Sequence, residues 1–443
     1  MSKKMSKTKE KVDDELEKAI FKDKNAFLIG QADILLQNLD FSVYNDDLYI
    51  KTSDGVYSKE VLNELVNSDI VYTSKQFNEL LYQLKIKANK VSDCKAFKLR
   101  NGYLIIDESG IGKYVENYDG FTPFNLDVTY DENANDEYVN KFLDDISCNN
   151  FEIRNMLIEL IGSLFLIDKS PCKIFYLYGP TGANGKSTFT SMLRAFLGHD
   201  LTSNIDINGL NDDTKMHSLI GKLLNISDDS DFSKLRVEKT SRMKSICSQE
   251  TLTIRPIYQN PITAKFFCTL VVSCNNLPEF DDKSGGMVRR LVIIDFSMNL
   301  SKENKKANMV ELLSTDEAKS TLLNLAIKGM NQIINNNYEL TDSEYVNKTI
   351  DDYFKESDTV RSFLIDRNNG KDIEGKYVSE VYDSYVEYCT NDIAKKELAK
   401  NAFGTHMKLY GYVSKVETQN KKGKKSSRRI YVKDDDLVCL SLE

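Results

Sequence analysis

Residues 173–188, KIFYLYGPTGANGKST, decide the fold of this chain. The first six are mainly apolar, as in a buried strand, and the residues after Thr188 (FTSMLRAFLG) have apolar side chains at helical spacing. A glycine-rich loop between a strand and a helix presents backbone N–H groups and the positive end of the helix dipole to an anion. The segment therefore predicts an α/β domain that binds phosphate.

This loop contains the residue types that a nucleoside triphosphate and its metal require. We expect Lys186 to contact the β and γ phosphates of ATP and the Ser187 hydroxyl to bind Mg²⁺. The spacing from Gly179 to Gly185 is one residue longer than in the usual phosphate-binding loop, so the role of Gly179 is open. The residues expected to line the nucleotide are Gly182, Ala183, Asn184, Gly185, Lys186, Ser187 and Thr188.

Two aspartates follow the next apolar run. Asp228 and Asp229 come directly after LLNIS at residues 223–227, a run typical of a buried strand. A carboxylate at the end of a strand beside the phosphate loop can bind Mg²⁺ and orient the attacking water. An acidic turn is common by itself, but its position downstream of the loop favours a catalytic role. Which aspartate binds the metal and which polarises water is open.

Polar residues also border two later apolar runs. Asn275 lies just after the run at residues 267–273, where its amide could hydrogen-bond the γ-phosphate or the attacking water. Arg289 and Arg290 precede the run LVIIDF at residues 291–296. An arginine there could extend to a neighbouring subunit's γ-phosphate, a role that raises the rate by roughly 10³ to 10⁵. Paired arginines are otherwise ordinary surface cations, and the sequence leaves both possibilities open.

The length of 443 residues predicts two to four domains. We predict a charged tail at residues 1–24, a mixed α+β accessory domain at 25–150, and an ATPase domain with a parallel sheet at 151–335. The Asn-rich segment 331–344 is typical of a linker. In the last domain, at 345–443, three predicted helices and a hairpin with a basic tip form the pattern of a winged helix, although a small α+β accessory domain fits as well.

Apolar periodicity also predicts single elements outside the central strands. They are a hairpin at 47–57, a strand at 101–107, and helices at 75–88, 137–146, 151–167, 359–364, 378–389 and 396–409.

Composition argues against several classes of protein. No apolar run approaches the roughly 18 residues that span a bilayer, and the N-terminus, MSKKMSKTKEKVDDELEK, is too charged for a signal peptide. We therefore expect a cytoplasmic protein with no membrane partner. The eight cysteines form no C-x-x-C pair and the three histidines are far apart, which argues against a zinc ribbon. The net charge of −8 does not exclude nucleic acid, because local charge governs phosphate binding.

The motifs together resemble a known family. GANGKST, LLNISDD, the segment 244–265, VVSCNNLP and VRRLVIIDF come in the order found in superfamily 3 helicases, a branch of the AAA+ ATPases. With DLYIKTSDGVY and NGYLIID, the chain is similar over nearly its whole length to replication helicases of phages, plasmids and pathogenicity islands, which have a D5-like N-terminal region and a C-terminal winged helix. The resemblance implies a bacterial host cytoplasm and a homo-hexameric ring in which ATP hydrolysis drives movement along DNA.

The resemblance also implies roles for single residues. Arg289 would be the finger that reaches a neighbour's ATP, with Arg290 as the alternative, and Mg²⁺ would be bound by Ser187, Asp228 and Asp229. The catalytic residues implied are Lys186, Asp228, Asp229, Asn275 and Arg289.

Two basic segments are the expected DNA contacts. The family places a pore hairpin at residues 248–265, although Ser248-Gln249-Glu250 departs from the usual Gly-Gly-Asp turn and leaves the hairpin register open. The expected pore contacts are Arg255, Tyr258, Gln259 and Lys265. A basic tip in the last domain would contact duplex phosphates as a wing, with a solvated loop as the alternative. Its lysines are Lys421, Lys422, Lys424 and Lys425.

The expected partners are single-stranded DNA in the pore, duplex DNA at an origin or fork, and a separate primase, because no primase catalytic domain is evident. Two other functions fit the motifs. One is an origin-binding initiator that uses ATP as an assembly switch without strong unwinding, and the other is a regulatory ATPase that acts on a protein. The hairpin segment and the basic tip favour the helicase and the initiator.

Overall fold

A computed structural model describes most of the chain. The described residues are 24–52, 55–59, 73–92, 94–106, 111–180, 184–228, 237–257, 261–277, 285–297, 308–393, 397–421 and 424–434. The predicted tail at residues 1–24 lies outside them except for Lys24. Within the described ranges, no helix has the length and apolar character needed to cross a bilayer.

Fourteen α-helices and sixteen strands lie in these ranges. The helices are α1 (Lys24–Asn38), α2 (Ser74–Lys87), α3 (Glu137–Ile146), α4 (Phe151–Ser163), α5 (Lys186–Leu197), α6 (Asp213–His217), α7 (Val237–Cys247), α8 (Gly285–Val288), α9 (Met309–Leu312), α10 (Asp316–Asn335), α11 (Glu344–Ser357), α12 (Thr359–Asp366), α13 (Val378–Asn391) and α14 (Lys400–Leu409). The strands are β1 (Phe41–Tyr44), β2 (Asp47–Lys51), β3 (Tyr57–Ser58), β4 (Asn89–Lys90), β5 (Ala96–Lys98), β6 (Tyr103–Ile106), β7 (Gly112–Val115), β8 (Ile174–Tyr178), β9 (Thr202–Ser203), β10 (Leu224–Asp228), β11 (Thr251–Ile254), β12 (Ile262–Lys265), β13 (Thr269–Cys274), β14 (Leu291–Asp295), β15 (Tyr412–Lys421) and β16 (Lys424–Lys433).

The central sheet has five parallel strands in the order β14-β8-β13-β10-β9. In β8, Phe175 and Leu177 pack into one apolar core, whereas Ile174 and Tyr176 pack into a second core on the other face. Because both faces are covered, the strand has no polar side and its sequence is a continuous apolar run. The predicted α/β class with a parallel sheet is confirmed, as are the four predicted central strands.

Two polar side chains in β10 extend this sheet where its last strand is short. Asn225 accepts a hydrogen bond from the Ile205 N–H (2.9 Å) and donates to the Ile205 carbonyl (2.9 Å). The Ser227 hydroxyl accepts from the Ile207 N–H (3.2 Å). These bonds satisfy backbone groups that would otherwise be buried without partners. These hydrogen bonds explain why the run LLNIS contains two polar residues although the strand is buried.

A close helix pair supports one face of the sheet. A Cβ atom on Gly162 of α4 would lie 2.1 Å from the Met330 nitrogen, and one on Gly329 of α10 would lie 2.2 Å from the Ile158 oxygen. Two glycines thus let the helix backbones touch. Helix α10 continues to Asn335, and Asn331 hydrogen-bonds both backbone groups of Gly112 (2.8 and 3.1 Å). The start of the segment 331–344 is therefore packed helix, so the interpretation of that whole segment as a linker was wrong.

The N-terminal region contains two further sheets, which are mixed β3-β2-β1-β4 and antiparallel β5-β6-β7. Helices α1 and α2 pack on the first sheet around their own core. The second sheet joins the main core, where the Phe97 ring lies 5.0 Å from the ring of Phe165. The main core also includes Phe142 and Ile146 of α3. The predicted pairing of β2 with β3, the strand β6 and the helix α2 are confirmed.

The C-terminal region has a separate apolar core. Helices α12, α13 and α14 surround Phe363, Tyr385 and Phe403, and the hairpin β15–β16 closes this core. The segment before α13 pairs with the hairpin, since the Gly375 N–H donates to the Tyr431 carbonyl (2.8 Å). The three helices and the hairpin predicted from periodicity are all present.

Candidate nucleotide-binding site

The candidate site lies at the carboxyl edge of the central sheet. Parallel strands end at one common edge, and here β8, β13 and β14 end in register at Tyr178, Cys274 and Asp295. The next residue of β8, Gly179, donates its N–H to the Cys274 carbonyl (3.2 Å), and the Phe296 N–H donates to the Tyr178 carbonyl (2.6 Å). The loop that follows β8 therefore begins between the two neighbouring strand ends.

Lys186 connects the phosphate loop to the end of β13, the strand beside β8 in the sheet. Its side chain is buried, at 5% exposed, although it lies in the first turn of α5. The ammonium group donates to the Gly179 carbonyl (2.6 Å) and to Asn275 Oδ1 (3.0 Å). Both acceptors are neutral oxygens. The two residues predicted to face the γ-phosphate, Lys186 and Asn275, are thus in contact across the strand ends.

Two glycines permit this packing. A Cβ atom on Gly179 would lie 2.0 Å from Asn184 Nδ2 and 2.9 Å from Lys186 Nζ. Gly185 has a positive φ of 89° and would place a Cβ atom 2.7 Å from Ile146 Cγ2. The role of Gly179, open from the sequence, is therefore to leave space for the lysine and the buried Asn184. Gly182 and Ala183 lie outside the described residues.

Asp228 has a partner that the sequence did not suggest. The carboxylate at the end of β10 forms an ion pair with Arg194 of α5, with 2.6 Å between Oδ2 and Nη2. Arg194 also donates from Nε to Asn204 Oδ1 (3.0 Å). One feature of the sequence could have pointed to Arg194 as a residue near the site. It lies seven residues after Ser187, which is two turns along the same face of the helix. Asp229 lies outside the described residues.

The two arginines lie at the opposite edge of the sheet. The Ile174 N–H at the start of β8 donates to the Arg290 carbonyl (2.7 Å), and Lys173 donates to the Arg289 carbonyl (2.7 Å). The Arg290 side chain turns inward, to the Gly286 carbonyl (2.5 Å) and to Ser248 Oγ (2.8 Å).

The Arg289 side chain is exposed and has no hydrogen-bond or ion-pair partner within the described ranges. It borders a cavity of about 600 Å³, together with Lys173, Glu339 and Asp342. Burial lowers the pKa of Lys173, mainly through desolvation. Of the two arginines, Arg289 is the one available to a neighbouring molecule.

Strands β11 and β12 form the predicted hairpin as an isolated two-stranded sheet. Arg255, just after β11, is exposed, and its N–H donates to Asp213 Oδ2 (2.9 Å). Lys265 pairs with Thr251 at the base of the hairpin, away from the tip, and its ammonium lies 3.5 Å from Asp168 Oδ1. Lys265, an expected pore contact, therefore lies at the end of the hairpin opposite Arg255. Tyr258 and Gln259 lie outside the described residues.

The basic tip of the C-terminal region closes the hairpin β15–β16. The backbone of Lys421 pairs with that of Lys424. The described part of the chain leaves out the side chains of Lys421, Lys424 and Lys425 and all of Lys422. Behind the tip, Arg428 is exposed and stacks over the Tyr377 ring at 4.9 Å. The backbone therefore places Lys421, Lys424 and Lys425 at the end of a long hairpin, as predicted.

The site fits a magnesium nucleotide by the chemistry of its side chains. Ser187 is exposed at the start of α5, and Asp228 is half exposed at the end of β10. A hydroxyl and a carboxylate suit Mg²⁺, which takes its remaining ligands from phosphate and water. In the part of the chain that is described, no three or more His, Cys, Asp or Glu side chains cluster as a metal site.

Comparison with known proteins gives one family model and one sequence relative. Residues 177–290 match a family of unknown function, DUF5906. A stretch of 183 residues is 26% identical to Primase D5 of fowlpox virus (strain NVSL), covering 38% of this chain and 22% of that protein. The match thus spans about a fifth of the length of that relative.

Two solved structures have a similar fold. One is the apo structure of the NrS-1 C-terminal region (305-718), with a TM-score of 0.51 and 15% identity over 93% of this chain and 100% of that one. The other is the A-form apo structure of the same region, with a TM-score of 0.50 and 16% identity over 91% of this chain and 98% of that one. At these identities, the likeness concerns the fold.

Proposed function

We propose that this chain hydrolyses ATP with Mg²⁺ and uses the energy to move along and unwind DNA during replication, as a helicase of the superfamily 3 type. The observation that supports this most is the contact of buried Lys186 with Gly179 and Asn275 at the carboxyl edge of a parallel sheet. The relative named Primase D5 supports a role in replication.

Each residue at this edge has a part in hydrolysis. Lys186 binds the β and γ phosphate oxygens, exchanging neutral acceptors for charged ones. Asn275, in contact with that lysine, hydrogen-bonds the γ-phosphate or the attacking water. Ser187 and Asp228 hold Mg²⁺, with Asp229 as the second carboxylate. The metal supplies neutralisation of the charge that develops on the phosphates.

Arg289 acts on the ATP of a neighbouring subunit in a ring of identical subunits. Strand β8 has five residues and rises about 3.3 Å per residue, so the two sheet edges are roughly 16 Å apart. An arginine at the amino edge is therefore too far from the phosphate loop of its own chain. Arg290 is engaged with Gly286 and Ser248, which favours Arg289 as the finger.

DNA contacts come from two hairpins. Single-stranded DNA passes the β11–β12 hairpin in the ring pore, with Arg255, Tyr258 and Gln259 near its tip. Duplex DNA contacts a C-terminal winged helix, in which α14 is the recognition helix and β15–β16 the wing. Exposed Asn401, Thr405 and Lys408 share one face of α14, which supports insertion of that helix into a major groove.

The proposal includes the cellular context expected from the sequence. The domain limits are 25–150, 151–335 and 345–443, the host element is a phage, plasmid or pathogenicity island in a bacterial cytoplasm, and a separate primase is the partner. The distinct apolar core of α12, α13 and α14 supports the last domain.

An origin-binding initiator is the second candidate. It is favoured by the long β15–β16 hairpin, whose ten-residue strands end in a lysine-rich tip suited to duplex phosphates. Such a protein would bind duplex DNA in the presence of ATP without separating the strands.

The test is ATP hydrolysis with and without single-stranded DNA. We expect DNA to stimulate hydrolysis and Lys186→Ala to abolish it while the thermal unfolding temperature is retained. Lys215→Ala is the matched control, because Lys215 is an exposed lysine of the same domain that forms a long ion pair with Asp206 (3.8 Å). Hydrolysis by Lys186→Ala at the wild-type rate would refute the assignment, and hydrolysis unaffected by DNA would point to a regulatory ATPase.

A further inference from the structure

The N-terminal region contacts the base of the β11–β12 hairpin through one side chain. Asn45 lies in the two-residue turn between β1 and β2, 220 residues away from Lys265 at the end of β12. Its Nδ2 donates to the Lys265 carbonyl (2.8 Å), and its Oδ1 accepts from the Lys265 N–H (2.5 Å). A side-chain amide thus pairs with both backbone groups of one hairpin residue, as a neighbouring strand would.

The turn is built to present this amide. Asn45 and Asp46 have positive φ angles of 52° and 63°, as both central residues of a two-residue hairpin turn require. Their side chains go to different places. Asp46 forms an ion pair with Lys85 of α2 (2.9 Å), inside the N-terminal region, whereas Asn45 bonds the hairpin.

The hairpin is held at several points. Ile254 and Ala264 are buried in the second apolar core, the Arg255 N–H donates to Asp213, and the base has contacts of its own. Strands β11 and β12 pair only with one another within the described residues, and an isolated two-stranded hairpin is marginal by itself. The base is held on another side by Lys265, which contacts Asp168, and by Gln249, which donates to the Leu166 carbonyl (2.5 Å). Each strand has four residues, so a tilt of about 15° at the base moves the far end by about 3 Å.

We propose that Asn45 is a positioning residue through which the N-terminal region sets the orientation of the β11–β12 hairpin for DNA. The inference rests on the proposed DNA-binding role of that hairpin. Asn45 itself touches neither DNA nor nucleotide. Loss of its amide lets the hairpin tilt, so DNA bound at the tip no longer drives hydrolysis at the sheet edge, while hydrolysis without DNA continues.

The turn offers a matched pair of variants. Asn45→Gly removes the amide, and glycine adopts the same positive φ without strain. Asp46→Gly is the control, because it removes a neighbouring polar side chain from the same turn and leaves the hairpin contact in place. Asn45→Asp keeps an acceptor for the Lys265 N–H but cannot donate to its carbonyl, so it should give an intermediate result.

Two measurements test the proposal. First, hydrogen exchange at residues 251–265 should become about tenfold faster in Asn45→Gly than in Asp46→Gly, the factor expected from losing one or two hydrogen bonds. Second, stimulation of ATP hydrolysis by single-stranded DNA should fall about tenfold in Asn45→Gly, with hydrolysis in the absence of DNA changed by less than about twofold.

Equal exchange in the two glycine variants would overturn the proposal, as would an Asn45→Gly protein that melts earlier than the control and loses hydrolysis without DNA. A wild-type chain that DNA does not stimulate would overturn the proposed function instead. In that case, hydrogen exchange in Asn45→Gly at the rate of Asp46→Gly would still refute the claim that Asn45 holds the hairpin, and faster exchange would still support it.

Discussion

Replacing Gly179 by alanine should disable the nucleotide site without unfolding the protein. The added Cβ atom would lie 2.0 Å from Asn184 Nδ2, 2.9 Å from Lys186 Nζ and 3.0 Å from the Phe296 carbonyl oxygen. Asn184 and Lys186 are 3% and 5% exposed, so neither side chain has free space to withdraw into. Both side chains must therefore shift, Asn184 further than Lys186.

The magnitude follows from that displacement. Adding a methyl group to a packed site costs about 1 to 3 kcal/mol of unfolding free energy. Lys186 must also give up its 2.6 Å and 3.0 Å hydrogen bonds to Gly179 and Asn275, and a displacement of about 1 Å in a catalytic group lowers the rate roughly a hundredfold. We therefore expect kcat/KM for ATP to fall by about two orders of magnitude, with a smaller loss of stability.

Steady-state ATP hydrolysis, binding of a fluorescent nucleotide and thermal unfolding measure the three quantities. Gly30→Ala in α1 is the control, because a Cβ atom there meets nothing within 4 Å and alanine favours the helix. The reasoning is refuted if Gly179→Ala hydrolyses ATP at the rate of Gly30→Ala.

Three further predictions concern other parts of the molecule. Arg289→Ala should bind ATP but hydrolyse it at least about 10³-fold more slowly, and mixing it with Lys186→Ala should restore hydrolysis at interfaces that pair an intact copy of each residue. If mixed rings form without recovery at any ratio, Arg289 does not act between subunits. Gly162→Ala should lower the unfolding free energy by about 2 kcal/mol or more in a denaturant titration, because its Cβ atom would lie 2.1 Å from the Met330 backbone nitrogen. A variant without the tip lysines should bind duplex DNA more weakly and lose about 0.9 of the log-log salt slope per lost phosphate contact, whereas an unchanged slope would identify a solvated loop. The lysines replaced in it are Lys421, Lys422, Lys424 and Lys425.

Local pattern was sufficient to predict the elements of the nucleotide site. Apolar runs bounded by glycine or polar residues predicted β8, β10, β13 and β14, because strands buried on both faces are mainly apolar along their whole length. Asn275, just after one of these runs, was expected to reach the γ-phosphate or the attacking water, and in the structure its Oδ1 lies 3.0 Å from Lys186 Nζ.

The sequence could not predict contacts between distant segments of the chain. The position of Arg194 on the helix indicates only that it faces the same side as Ser187, not that it pairs with Asp228, and nothing near Asn45 indicates a contact with Lys265, 220 residues away. Packing also overrode composition in the segment 331–344, where asparagine indicated a linker although Asn331 bonds Gly112 from within a helix. Each of these depends on which elements come together in three dimensions, a property that local periodicity does not encode.

Strand separation on a forked DNA duplex tests the central proposal most directly. The wild-type chain with ATP and Mg²⁺ should release the labelled strand, and Lys186→Ala should bind the fork without releasing it. Lys215→Ala should behave as the wild type does. Tight, ATP-dependent binding of the fork by the wild-type chain with no strand release, under conditions in which it hydrolyses ATP, would contradict the helicase and leave the initiator as the function of this fold.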